Sequence, residues 1–238
     1  KKENVYVKAN YASVAPSVRY RGVFLNDEDW GLKPWATNTF EPEVGDIGPK
    51  TYAKVCELIL RLKGNMVAPA MHTCTGPFYS HADNKVVADE YGIMITTSHC
   101  EPLLFNNASL LEWDKKVDGE WDYSKNKQAI LAKLDARIKD AGQYENIYTL
   151  AMRGLHDEGM RGNMTEDEKV KILASAISDQ RDILKKYIDK PLEEIPQIFV
   201  PYKEALDLYE KGLQVPDEVT LVWVDDNYGY MKRVSNPD

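Results

Sequence analysis

Acids and aromatics crowd into a few short stretches of this sequence. "NDEDW" at 26–30 sets Asn26, Asp27, Glu28 and Asp29 beside Trp30. "MRGLHDEGM" at 152–160 carries Arg153, His156, Asp157 and Glu158, and "YKE" at 202–204 carries Lys203 and Glu204. "VDDNYGY" at 224–230 adds Asp225, Asp226, Asn227 and Tyr228, while His72, His99 and Glu101 follow two other apolar runs. Many carboxyl groups with few metal-type pairs suit glycoside hydrolysis. There one carboxylic acid protonates the leaving oxygen, and a second carboxylate handles water or the anomeric carbon. Trp30, Trp35, Trp223 and Tyr228 would stack on sugar rings, although Trp223, in mid-run, fits wall packing better. Arg153 suits a bidentate grip on a substrate carboxylate or, equally, an internal salt bridge to a neighbouring acid.

Other chemistries find less support. The histidines stand at 72, 81, 99 and 156 with neither HxH nor HExxH between them. No metal and no cofactor are therefore expected. There is no GxSxG elbow for a serine nucleophile. Cys56, Cys74 and Cys100 form no CxxC pair, and Cys56 reads as a buried thiol on a helix. A net charge of −8 argues against nucleic acid, which needs a basic stripe. The same charge means that an anionic substrate would need local cations working against the overall field. No apolar run of 18 residues suggests a membrane span. The compartment cannot be read from these residues.

Positioning such groups requires regular elements. Apolar runs recur at 22–25, 65–70, 92–97, 146–152, 197–201 and 220–224. They are near-continuous rather than alternating, as in parallel strands covered on both faces. Between them lie helical patterns. One opens near Pro49 and stops at Gly64, another takes Ser124 as its N-cap with Leu131, Leu134 and Ile138 on one stripe, and a third begins with a Thr165–Glu168 capping box. "NKVVADEYG" and "YKEALDLYEKG" are shorter candidates. Helix-to-strand links are mostly short, whereas strand-to-helix links at 26–48, 70–83, 98–123 and 153–164 are long. Long loops at the C-terminal ends of parallel strands are where a (β/α)8 TIM-type barrel builds its site, and no GxGxxG follows the first run as a nucleotide fold would require. The expected architecture is an α/β (β/α)8 barrel, partial, with about six β/α units over 19–238 after a lead-in segment at 1–18. Six runs rather than eight, and Lys1 at the start, lead one to expect a longer parent chain.

At "RGVFLNDEDWGLKPWA", "AMRGLHDEGM" and "VWVDDNYGYMKRVSNP" the sequence resembles glycoside hydrolase family 115, the xylan α-1,2-glucuronidases. The resemblance implies a (β/α)8-type catalytic domain that inverts at the anomeric carbon. It further implies release of glucuronic acid, or its 4-O-methyl form, from xylan or glucuronoxylan side chains, and dimerisation through domains outside these residues. The matched positions are Asn26, Asp27, Arg153, Asp157, Glu158, Glu204, Asp225, Asp226 and Asn227. Glu204 is taken as general acid with a raised pKa, and the base is left open among Asp27, Asp157 and Asp226. Arg153 and Lys203 are expected on the uronate carboxylate, with Trp30, His99 and Tyr228 completing the binding set. Two rivals stand beside this reading, a barrel glycosidase with another substrate and a non-catalytic carbohydrate-binding fragment.

Overall fold

The computed structural model describes residues 10, 12–226 and 228–231. Each apolar run contributes one strand: β1 (Gly22–Phe24), β2 (Met66–Ala68), β3 (Met94–Ile95), β4 (Tyr148–Thr149), β5 (Gln197–Phe199) and β6 (Thr220–Leu221). The strands pair in the order β1-β2-β3 and β4-β5-β6, parallel throughout. A parallel bridge between Ile95 and Asn146 joins the two halves, with Ile147 N–H donating to the Ile95 carbonyl at 2.9 Å. Spatial order thus follows sequence order. The strands are shorter than the apolar runs, but their ladders continue past them. Leu25 N–H donates to Ala68 O at 2.9 Å, Leu150 N–H to Ile198 O at 2.8 Å, and Val222 N–H to Phe199 O at 2.9 Å.

The helices are α1 (Leu32–Trp35), α2 (Pro49–Arg61), α3 (Ala82–Glu90), α4 (Lys115–Asp118), α5 (Tyr123–Ala141), α6 (Glu166–Tyr187) and α7 (Glu204–Glu210). α1 and a π-helical turn at Ala36–Phe40 fill part of the long link after β1, and there Trp35 stacks on Phe40 with ring centroids 4.5 Å apart. Helices α5 and α6 pack together, and Ile130, Leu134 and Ile138 of the first and Leu173, Ala176, Ile177 and Leu184 of the second are all buried in the core. Leu134 and Ile138 lie on the buried α5 stripe as the sequence pattern places them, but its third member is Ile130, with Leu131 only half-buried.

The caps show what is local and what is not. Thr165 and Glu168 close the capping box of α6 as their spacing predicts. α5 is capped by Asp122 rather than Ser124: the aspartate accepts Ser124 N–H at 3.0 Å and the Ser124 hydroxyl at 2.6 Å. A carboxylate can take both donors at once, so the serine becomes its ligand. α2 has no side-chain cap in its own N-cap residue, Gly48. Glu41, fully buried, supplies one from an earlier turn, accepting Lys50 N–H at 3.0 Å, Thr51 N–H at 2.9 Å and the Thr51 hydroxyl at 2.8 Å. A β-carbon at Gly48 would stand 2.7 Å from that carboxylate, so the close approach needs glycine.

Glu41→Ala should therefore cost about 1–3 kcal/mol, because it strands buried N–H groups. Thr165→Ala should cost about 1 kcal/mol. Urea unfolding followed by circular dichroism measures both, and a smaller loss at Glu41 than at Thr165 would mean that water replaces its bonds.

Candidate active site

Because the strands are parallel, the segments that follow them all leave from one end of the arc. The segment after β4 doubles back tightly. Gly154 N–H donates to Glu158 O at 3.0 Å, and a β-carbon at Gly154 would stand 2.3 Å from Gly159 O, so only glycine permits the turn. His156 takes a left-handed φ of 50° within it. Asn107 ties the turn to the segment after β3, accepting His156 N–H at 2.8 Å and donating to Gly154 O at 3.1 Å. Trp121 Nε1–H donates to Arg153 O at 3.2 Å.

This scaffold fixes an ion cluster. Arg153, its side chain only 4% exposed, donates Nε–H and Nη2–H to Glu204 Oε1 and Oε2, both at 2.7 Å. Its Nη1–H donates to Asp157 Oδ1 at 2.6 Å. His99 donates Nε2–H to the same Oδ1 at 2.7 Å and packs edge-on against Tyr202 at 4.8 Å. Lys203 pairs with Asp157 Oδ2. Burial acts to raise the pKa of Asp157, but hydrogen bonds from Lys203, Arg153 and His99 outweigh it and hold the group well below the carboxylate range. At Glu204 burial is likewise outweighed by the Arg153 bonds and charge, so its pKa is lowered. The raised pKa that the crowding of acids predicts for Glu204 is not found, because a bidentate guanidinium overrides nearby carboxylates. Burial, aided by the Arg153 charge, lowers the pKa of His99 despite its bond to Asp157.

Asp157 opens onto a cleft of about 740 Å³ along the concave face of the arc. Its floor is apolar, including Val23, Ala68, Ile147, Ile198 and Val222, and its rim is polar: Asn26, His72, His99, His156, Asp157, Asp225 and Asp226. Asp226 Oδ1 accepts Tyr228 N–H at 2.9 Å and Tyr230 N–H at 3.1 Å. Lys203, Tyr202, Trp223, Asp225 and Asp226 line an adjoining hollow of about 380 Å³. The structure thus brings together Asn26, His99, Arg153, Asp157, Lys203, Glu204, Asp225 and Asp226. It does not bring in Trp30, 85% exposed, or Tyr228, 84% exposed, and neither lines the cleft. Glu158 turns outward to pair with Arg161 at 2.7 Å. Asp27 is exposed in a left-handed turn with φ 60°, and Asn227 lies outside the described residues.

The family model for "Glycosyl hydrolase family 115" matches residues 13–238. The chain belongs to glycosyl hydrolase family 115. Among solved structures it is similar to a family GH115 4-O-methyl-α-glucuronidase with specificity for decorated arabinogalactans. That likeness has 46% sequence identity and a TM-score of 0.87, and covers 93% of this chain and 29% of that one. The chain therefore spans 29% of the length of that enzyme. No curated protein matches. Among the described residues no group of three or more His, Cys, Asp or Glu side chains is placed to hold a metal ion, and no helix is long and apolar enough to cross a membrane.

Asn107, which ties down the turn after β4, carries no motif of its own and was not singled out from the sequence. Tyr202, which follows β5 with Lys203 and Glu204, buttresses His99. His72 and His156 reach the cleft, with ring centroids 6.1 Å apart. Behind them Glu28, buried, accepts His72 N–H at 2.7 Å. Cys100, beside the site, is no nucleophile: burial pushes its thiol up to about 12. Beneath the rim Glu101 is 6% exposed, and burial pushes its carboxyl up to about 8 although Ser98 N–H donates to it at 3.2 Å.

In an unfolded chain a glutamate titrates near 4.3. Between about 4.3 and about 8 the folded protein therefore holds a proton at Glu101 that the unfolded chain has lost. Stability from this residue declines as pH rises through that window, by about 1.4 kcal/mol per unit at most. Glu101→Gln should be near neutral in effect at about pH 4 and increasingly stabilising towards about pH 8. Melting temperatures of both proteins across the window test this, and a pH-independent difference would refute it.

Proposed function

We propose that this chain is the catalytic-site portion of an inverting α-glucuronidase that releases glucuronic acid, or its 4-O-methyl form, from polysaccharide side chains. The observation that carries the reading is the three-donor grip on Asp157 at a cleft mouth that Asp225 and Asp226 share. A carboxylate that stays ionised is available to take a proton from the attacking water, and loss of one of its three donors would strengthen it as a base. The donor for the leaving oxygen is assigned to Asp225 or Asp226. Glu204, clamped side-on by Arg153, holds that guanidinium in place. Lys203 supplies the accessible positive charge for the uronate. The finer fold reading, a (β/α)8 barrel of which these six units are part, belongs here as well. It is supported by the sequential parallel order and by the apolar trough that the arc leaves along its concave side. Glucuronoxylan is the first substrate to try; the similarity to an arabinogalactan-directed enzyme makes decorated arabinogalactan the second.

The test uses the full-length enzyme. Free uronic acid should appear from one of these polymers, and proton NMR should show the β-anomer first. Asp157→Asn should lower turnover about 10²–10⁴-fold on both polymer-derived oligosaccharides and an aryl glucuronide, because both need water activation. The proton donor is the residue whose amide variant loses activity on the oligosaccharide but far less on the aryl glucuronide, whose phenol leaves unassisted. Asp225 or Asp226 should behave so. If Glu204→Gln does so instead, Glu204 is the acid and the clamp opens during turnover.

A further inference from the structure

Asp157 presents two oxygens to its surroundings, and in this structure both are engaged. Oδ1 accepts from Arg153 at 2.6 Å and from His99 at 2.7 Å, while Oδ2 is taken by Lys203. These partners differ in how easily they could let go. The Arg153 side chain is 4% exposed and also holds Glu204 side-on, so its withdrawal would break both contacts at once and leave Glu204 without its cation. His99 is 19% exposed and wedged against Tyr202. The Lys203 side chain is 44% exposed, with its ammonium 5.3 Å above the Tyr202 ring. A half-exposed lysine pair is weakly held and readily re-formed with another anion.

The backbone supports this division. Lys203 adopts φ 52° and ψ −129°, a conformation that a side chain other than glycine rarely takes. In an extended strand neighbouring side chains point to opposite faces. Here Lys203 and Glu204, consecutive in sequence, both reach the Arg153–Asp157 pair. The strained turn delivers both, one as a fixed partner and one as a mobile one.

We infer that Lys203 is the specificity-determining residue of this site, leaving Asp157 Oδ2 for the carboxylate of the substrate uronate and thereby uncovering the oxygen that receives a proton from the attacking water. The inference rests on the hydrolytic reading above. The exchange swaps one carboxylate for another at the same ammonium, and Asp157 stays located by Arg153 and His99. As the water oxygen bonds to the anomeric carbon, its proton passes to Oδ2 and the glycosidic oxygen leaves with a proton from the acid. A neutral sugar offers Lys203 no anion, so Oδ2 stays covered. Discrimination then falls on turnover as well as on binding.

Several charged or titratable groups surround Asp157. Arg153 and His156 come from its own segment, His99 from the segment after β3, and Tyr202, Lys203 and Glu204 from the segment after β5. Asp225 and Asp226 share its cleft. Of these, Lys203 is the cation the substrate can draw off, and its departure raises the proton affinity of Asp157, whose pKa its hydrogen bond helps to depress.

The experiment compares a uronate-bearing oligosaccharide with the same compound carboxyl-reduced to the neutral glucoside, in the full-length enzyme and in Lys203→Gln. In the unaltered enzyme the neutral compound should turn over at least about 100-fold more slowly. Lys203→Gln should raise KM for the uronate about tenfold or more and, decisively, raise kcat on the neutral compound by about tenfold, because Oδ2 is no longer covered. In the unaltered enzyme the acidic limb of kcat should also lie at higher pH than that of kcat/KM, since only the free enzyme keeps the Lys203–Asp157 pair. That profile needs no variant, so it decides the matter even if Lys203→Gln fails to fold. A rise in KM without a gain on the neutral compound, or coincident acidic limbs, would reduce Lys203 to a plain anchor and overturn the exchange. Release of no uronic acid by the unaltered enzyme would instead refute the hydrolytic reading itself.

Discussion

Arg153 stands between Glu204 and Asp157, and much of the rim depends on its staying there. A guanidinium has donors on two edges and one end, so it can hold one carboxylate side-on and still reach another. Here the side-on edge takes Glu204 and Nη1 takes Asp157. Removing one partner of such a buried arrangement costs about 3–5 kcal/mol, mostly from the charge left behind. Links of another kind hold the arginine's own backbone in place: the Trp121 indole on its carbonyl and the Asn107 amide on the next one. The cluster is therefore set by three segments at once, those after β3, β4 and β5.

The fold's role is to bring those segments to one end. Parallel strands in sequential order do this without further instruction, and the buried α5–α6 layer behind them supplies the apolar burial that offsets local strain. Most of that strain lies in the segments that follow the strands. Asp27, His156 and Lys203 all have positive φ values in the segments after β1, β4 and β5, and the buried Leu103 and Leu104 share this in the segment after β3. Lys63, also left-handed, instead follows the C-terminal end of α2 on the opposite side, where a helix stop accounts for it.

The sequence carried the strands, the main helices and the α6 capping box because each is encoded within a few residues, by apolar runs, by periodicity or by a four-residue motif. It carried the site's membership in part, since polar residues after parallel strands must gather. Partners distant in sequence were not legible. Glu41 caps a helix that begins after it, and no local pattern announces this. Arg153 invited two readings because its main partner lies 51 residues away. The protonation of Glu204 was misjudged for the same reason: the crowd of acids is visible in the sequence, whereas the guanidinium beneath one of them is not. Trp30 shows the converse limit of local pattern: an aromatic residue beside acids suggests sugar stacking, and its side chain stands in solvent outside the cleft lining.

The charge balance ties these points together. The chain carries a net charge of −8, a poor field for an anionic substrate. Within the cluster, however, two cations face two carboxylates, so the immediate surroundings of Asp157 are near neutral before anything binds. On the hydrolytic reading proposed above, a site of this kind would draw a uronate less by long-range steering than by offering a cation already paired with a replaceable anion. Arg153 cannot fill that role, because its burial and its second carboxylate lock it. Lys203 can, because it is exposed and strain in its own backbone holds it over the same aspartate. On the proposed exchange, the division between a locked arginine that sets geometry and an exchangeable lysine that reads charge would let one small cluster both position its base and test its substrate.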